Sequence, residues 1–359
     1  MRSPWRRGFP LFLLLASAAS SSAQTSPPPP PPDPPKTAEA PAFKISGLVY
    51  GDYYYVAGNH REELEGRNGF WIRRVYLTYD HTLSKALSLR ARLEANSRGD
   101  FESTGVTTPY FKDLWLKWTF GAHALTFGLA PTVNIDFVDA FQGYRSVEKS
   151  PFDLYPWDSS RDLGVLLQGG LGPEKRTSYS LQFGNGSGTG SEVDRSKSVR
   201  GQLVHRFARG LVLEAYADWQ DRSEARDVWT VEAFAGWQEK TWRASLQYGH
   251  QERREVGPGG SDLALDFLSA FAAVQVSPKV TLLGRVDRNF DPIPGGETID
   301  YMPFSDEAKS TFGYVGADVT LHKNVHLIPN VELTAYDEAA DGTTPGTDVV
   351  PRVTLFFSW

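Results

Sequence analysis

The chain has 359 residues, a net charge of -6, 22% charged residues and no cysteine. The missing cysteines exclude disulfides, thiolate metal sites and a lipid-anchored cysteine, and the acidic balance argues against a nucleic-acid partner. No stretch after residue 20 is apolar for the ~20 residues that a membrane helix needs, but a transmembrane barrel needs none, because only alternate side chains of a strand meet lipid.

Residues 1–23 read as a secretory signal: Arg2, Arg6 and Arg7 precede the apolar run FPLFLLLASAA, and Ser21-Ser22-Ala23 offers small residues for cleavage. Residues 24–42 hold the run PPPPPPDPP. Proline fixes its backbone angle and donates no amide, so this segment is expected to be an extended periplasmic tether. Residues 43–359 are expected to form the folded domain.

From there the chain alternates. Phe43 to Val56 is rich in strand formers. In Gly69 to Tyr79, Val75, Leu77 and Tyr79 fall on one parity, and Arg74, Tyr76 and Thr78 on the other. The clearest case is KALSLRARLEANS, where Leu87, Leu89, Ala91, Leu93 and Ala95 oppose Ser88, Arg90, Arg92, Glu94 and Asn96. Period two is the signature of a strand with two unlike faces. Tyr110 to Phe120 places Leu114, Leu116 and Trp118 outward, and Asp113, Trp115 and Lys117 inward. Leu125, Phe127 and Leu129 follow a tight turn at Gly121.

Arg161 to Leu171, the strand around Leu181, and Lys197 to Phe207 continue the pattern. Next, Leu213, Ala215, Ala217 and Trp219 alternate with Glu214, Tyr216 and Asp218. Trp229 and Trp237 end the following stripe, as aromatic girdles at two lipid–water interfaces would. Trp242 to Tyr248, Asp262 to Val276, Val280 to Phe290, Ser310 to Leu321, Val325 to Tyr336 and Asp348 to Trp359 complete sixteen strands. The register of Asp262 to Val276 is ambiguous, because Ala270 to Val276 is nearly all apolar.

The connections decide the class. Those near His81, Gly121, Gly172, Ala208, Glu239, Pro278 and Lys323 are short, and those between them are long and polar. This alternation predicts an all-β fold: a sixteen-stranded antiparallel transmembrane barrel with short periplasmic turns and long outer loops. The even count returns both ends to the periplasmic side. One connection, residues 130–160, is exceptional in length and rich in aromatic and aliphatic residues, which is wrong for disorder. It is expected to fold into the lumen and narrow it. Its charges are Asp136, Asp139, Arg145, Glu148, Lys149, Asp153 and Asp158.

The segments FKISGLVYGDYYY, GFWIRRVYLTYDHTLSKALSLRARLE, FKDLWLKWTFGAHALTFGLAPT, RDLGVLLQGGL, YSLQFGNGSG and the closing VTLFFSW resemble the phosphate-selective porin O and P family, in order from Phe43 to Trp359. The resemblance implies a sixteen-stranded barrel, usually a homotrimer, whose third long loop constricts the pore. It also implies arginines and a lysine cluster along the pore. Here the loop QDRSEARD, Gln220 to Asp227, has no lysine, which weakens the implied phosphate selectivity.

By parity the inward bases are Arg74, Arg90, Arg92, Lys117, Arg200, Arg243, Arg285 and Arg352. The inward acids are Glu94, Asp113, Glu214, Asp218, Glu232, Asp287, Asp318 and Glu332. Bases gather on the second to fourth strands, and acids on the ninth, tenth, fourteenth and fifteenth. Facing each other across a lumen, they would set up a transverse field. Arg90 and Arg92 are the first choice for solute contact, since guanidinium groups bind anions bidentately.

The expected function is passive diffusion of small hydrophilic solutes, anions or phosphate among them, across a bacterial outer membrane. The expected surroundings are lipid, lipopolysaccharide and the barrel-insertion machinery. A plugged structural or adhesive barrel is the alternative, since inward Trp115, Tyr216 and Phe234 would help to fill the interior. No catalytic residues, metal ligands or cofactors are expected. The sequence has no Gly-x-Ser-x-Gly elbow, and its seven histidines form no ligand pattern on a helix.

Overall fold

The computed structural model describes residues 42–359, apart from 103, 105, 194 and 223–225. The signal sequence and the tether up to residue 41 lie outside the described residues. Sixteen strands form one closed antiparallel barrel, each paired with its neighbours in sequence. They are β1 (Phe43–Tyr55), β2 (Asn68–Thr82), β3 (Leu87–Ala95), β4 (Tyr110–Phe120), β5 (His123–Pro131) and β6 (Arg161–Leu171). Then come β7 (Thr177–Gly184), β8 (Ser198–Arg206), β9 (Leu211–Gln220), β10 (Val228–Gln238) and β11 (Trp242–Arg253). The last are β12 (Leu263–Ser277), β13 (Val280–Asn289), β14 (Ser310–His322), β15 (Val325–Tyr336) and β16 (Asp348–Ser358). β1 pairs with β16 from Leu48↔Ser358 to Tyr54↔Arg352, so no sheet edge is left unpaired.

The outer face is an apolar belt. Leu116, Phe127, Leu181, Leu246 and Val315 are all exposed, Phe127 at 66%. A continuous apolar surface of this extent is built for hydrocarbon. Aromatic side chains ring both ends of the belt. Phe43, Trp118, Trp237, Trp242 and Trp359 lie exposed at the short-turn end, and Tyr53, Phe70, Trp219 and Phe290 at the long-loop end.

Four register shifts interrupt the ladders; two, at Gln275 and Thr320, lie beside short turns, and two change which side chains of β2 and β4 face inward. Tyr50 pairs with Arg74 but Gly51 pairs with Ile72, so Arg73 is an extra residue in β2. Likewise Arg92 pairs with Asp113 but Leu93 with Phe111, leaving Lys112 extra in β4. A bulge turns two successive side chains toward one side. Arg73 and Lys112 are thereby buried beside Arg74 and Asp113, and each bulge adds one cation to the interior.

β12 is apolar on both faces for a physical reason. Leu268, Ala270, Ala272 and Val274 face outward, while Leu265, Phe267, Phe271 and Ala273 are buried inside. The inner row packs on the long connection between β5 and β6. The hydrophobic core of the protein therefore lies within the barrel. Wall residues Phe267, Phe271 and Phe312 meet Val133, Val147, Phe152 and Trp157 of that connection, together with Met302 and Phe304 of the loop before β14.

Candidate functional site

The connection after β5 carries two helices, α1 (Val133–Gln142) and α2 (Pro151–Leu154). Its two ends are stapled together: the Thr132 hydroxyl donates to Ser159 O at 2.8 Å, and the Thr132 amide to Ser160 O at 3.2 Å. Helix α1 stops at Gly143, which adopts φ 71°. Glycine suits that left-handed backbone, and a Cβ there would also push on the Arg243 guanidinium, 2.8 Å away. Arg243 donates to Gln142 O at 2.7 and 3.1 Å, placing a cation on the negative end of the helix. Pro151 opens α2, where its missing amide costs nothing.

A loop inside a barrel must have its carbonyls satisfied, or it loses hydrogen bonds that water would have supplied. The wall supplies them. Arg73 donates to Val147 O at 2.5 Å, Arg285 to Lys149 O at 2.6 Å, Gln251 to Trp157 O at 3.1 Å and Gln202 to Val133 O at 3.1 Å. Charged grips add to these. Arg200 holds Asp158 with two hydrogen bonds, at 2.7 and 2.8 Å, and Asp162 at 2.7 Å. Arg73 pairs with Glu148 at 2.8 Å, and the Tyr155 hydroxyl donates to Asp287 at 2.7 Å. Within the loop, Arg145 pairs with both Asp139 and Asp153. Burial opposes ionisation of Asp153, but Arg145 outweighs it and holds the carboxyl well below the usual range.

The inward bases named from sequence divide into two groups. Arg200, Arg285 and Arg352 face the interior but are almost fully buried in ion pairs. Arg74 is buried with them, in contact with Glu94. Arg90, Arg92 and Lys117 line a cavity of about 410 Å³ beneath α1, with Arg206 and Asp136. The Arg90 side chain is 28% exposed and pairs with Asp80 at 2.7 Å. Arg90 and Lys117 both lie over the Trp115 ring, at 5.5 and 5.0 Å. A second cavity of about 290 Å³ shares Arg92, Asp136 and Ala140 with the first and adds Arg145, Arg161, Tyr50 and Tyr76.

Along this wall, cations outnumber the acids that hold them. Glu94 sits between Arg74 and Lys112, and Asp113 between Arg92 and Arg161. Each pair of cations shares one carboxylate.

The inward acids do not all stand opposite that wall. In a sixteen-strand ring β9 and β10 lie across from β1 and β2, but closure through β16 brings β14 and β15 close to β2. The expectation that acids of the fourteenth and fifteenth strands would face the bases is therefore corrected. Glu332 is paired with Arg352 at 2.9 Å, and Asp318 with His326 at 2.8 Å. Across the barrel, Asp218 accepts from Tyr216 at 2.8 Å, Glu214 from Gln202 at 3.1 Å and Glu232 from Gln247 at 2.8 Å.

Sequence reasoning missed Arg73, Lys112, Arg161, Arg206, Asp52 and Asp162. The adjacent charges Arg73-Arg74 and Lys112-Asp113 were the available signal, since strict alternation would have sent one of each into lipid.

At the long-loop end, His60 ties the first outer loop to the last strand and the loop before β14. Its Nδ1 lies 2.8 Å from Asp348 and its Nε2 3.1 Å from Glu297. Asp348 also accepts from the Tyr336 hydroxyl at 2.5 Å. Burial disfavours the charged imidazole, but Asp348 and then Glu297 outweigh it and raise the pKa. A raised folded pKa stabilises the fold below the unfolded value of about 6.5, and that contribution is lost as pH rises through the folded value. Thermal unfolding of the wild type is expected to shift downward from pH 5.5 to pH 8.5, and His60→Gln to flatten that dependence. An unchanged slope in the variant would count against this clasp.

No family model matches the sequence, and no curated protein does. Solved structures do match. The anion-selective porin of Comamonas acidovorans superposes with TM-score 0.64 at 12% identity, over 88% of this chain and 99% of that one. OmpF of Salmonella typhi, in complex with daunomycin, gives 0.61 at 12% identity, over 88% and 97%. The outer-membrane channel DcaP of Acinetobacter baumannii gives 0.61 at 13%, over 88% and 97%. At such identities the likeness establishes the fold, a sixteen-stranded barrel of the porin type.

Proposed function

We propose that this protein is an outer-membrane porin through which small hydrophilic solutes diffuse passively, with a preference for anions. The observation that carries the reading is the wall of Arg90, Arg92, Lys117 and Arg206 around the cavity beneath α1. The apolar belt supports a place in the lipid bilayer, and the porin-type neighbours support the outer membrane as its location. The loop from β5 to β6 sets the size limit by occupying the lumen, and the shared carboxylates leave the β2–β4 side net positive. Phosphate is among the anions such guanidinium groups favour. No chemical step is involved. The homotrimer, and contact with lipopolysaccharide and the insertion machinery, rest on the resemblance of the sequence to phosphate-selective porins.

The second reading, a plugged structural or adhesive barrel, is favoured by one observation. Val147, Leu154, Met302 and Phe304 are fully buried in the apolar cluster against the wall, more apolar filling than a wide channel needs. The reversal potential in a KCl gradient separates the two. A porin of this kind gives a reversal potential on the anion-selective side, and phosphate competes with chloride. A unit charge about 4 Å from an ion in water contributes about 1 kcal/mol. Arg90→Gln with Arg92→Gln is therefore expected to lower the anion-to-cation permeability ratio severalfold. Cation selectivity in the wild type would end the anion proposal, and electrical silence would favour the plug.

A further inference from the structure

Four polar side chains meet beneath the N-terminal turn of α1. Glu214 on β9 and Glu232 on β10 are diagonal neighbours on the inner face, since Tyr216 pairs with Glu232 and Phe234 with Glu214. Gln247 of β11 donates to Glu232, and Asn134 of α1 lies against the same carboxylate. Glu214 and Glu232 are each 4% exposed, Gln247 1% and Asn134 0%.

Oε2 of Glu214, Oε2 of Glu232 and Oε1 of Gln247 have no hydrogen-bond partner, and neither Oδ1 nor Nδ2 of Asn134 has one. Among the described residues, no lysine, arginine or histidine pairs with either glutamate. Asp218, further along β9, also lacks an ion pair among the described residues, but it accepts from the Tyr216 hydroxyl and from Gln220. Glu94, Asp113, Asp287 and Glu332, other buried acids of the wall, all have a cation.

Two buried carboxylates with no counter-charge are costly. The amino end of α1 offsets only about half a charge. We infer that Glu214, Glu232, Gln247 and Asn134 form a site for a hard divalent cation of the calcium type. Two carboxylate and two amide oxygens match the all-oxygen ligand preference of calcium, and waters would complete a shell of six to eight. Among the described residues, no group of three or more carboxylate, imidazole or thiolate side chains could hold a metal. This site has only two carboxylates and draws its other ligands from amides, so the pattern of acidic residues does not reveal it. Val133 and Gln202, which are bonded to one another beside the cluster, both line the neighbouring 410 Å³ cavity.

Bound there, the ion would clamp the start of the loop helix to the wall through Asn134. The inference is independent of whether the barrel conducts. The test is isothermal titration of calcium chloride into full-length protein, refolded in detergent free of lipopolysaccharide and stripped with chelator. One calcium ion per chain is expected between pH 6 and pH 8. Glu232→Gln and Glu214→Gln should each weaken binding at least about tenfold, while Glu174→Gln in an exposed turn leaves it unchanged. Asn134→Ala keeps both carboxylates and is also expected to weaken binding. No saturable uptake by the wild type would mean that protons neutralise the pair, and would overturn the site. Wild-type affinity in the Asn134 and glutamate variants would place calcium elsewhere and overturn it too.

Discussion

Replacing residues 134–158 with a two-glycine linker is expected at least to double the single-channel conductance of the reconstituted protein, because conductance follows the open cross-section of the pore; about twofold is a lower bound. The deletion is geometrically mild. Thr132 and Ser159 already touch, at 2.8 Å, so the linker need not pull β5 and β6 apart. The wall that remains can be rehydrated: Arg73, Arg243 and Arg285 lose carbonyl partners but gain water. The apolar row of β12 loses its cover, so the variant should unfold at a lower temperature while still inserting as a barrel. Conductance equal to that of the wild type would mean that the loop does not set the limiting section.

Arg200→Leu should be the most damaging single substitution in the wall. Arg200 is 1% exposed and holds both Asp158 of the loop and Asp162 of β6. Removing it leaves two buried carboxylates facing each other without a cation. Asp162 keeps donors from Ser198 at 2.7 Å and from the Gly186 amide at 2.9 Å, whereas Asp158 loses both of its bonds from the arginine. Breaking a buried pair from one side costs roughly 3–5 kcal/mol. Thermal unfolding in detergent should register that loss, and Asp158→Asn in the same chain should recover part of it. Arg206→Leu serves as the control, because Arg206 is exposed and its loss should barely move the transition. If the two arginine variants unfold alike, the loop is not held by this pair.

The barrel was legible because lipid imposes a simple rule. Each strand must present one apolar face, and the polar face must turn inward, so Leu213, Ala215, Ala217 and Trp219 separate cleanly from Glu214, Tyr216 and Asp218. The rule weakens where the interior is also apolar. β12 could not be oriented from sequence, because Phe267 and Phe271 pack on the loop with the same chemistry that Leu268 and Ala270 offer to lipid. It also weakens at bulges, which shift parity by one residue without any glycine or proline beside Arg73 or Lys112 in the bulged strand to mark them. Arg73 and Lys112 were lost in this way. The ion pairs were out of reach for a different reason. Parity tells that Arg200, Arg285 and Arg352 point inward, but not that loop carboxylates and carbonyls distant in sequence already occupy them. The bases that line the cavity beneath α1, Arg90, Arg92 and Lys117, stand out only once the loop is in place.

Diffusion through this barrel requires water to fill a path beside the loop, between the arginine wall and α1. Planar-bilayer recording of the full-length wild-type protein addresses this directly. Discrete, long-lived current steps in potassium chloride are the predicted result. A membrane that stays sealed, with the barrel demonstrably inserted, would contradict it.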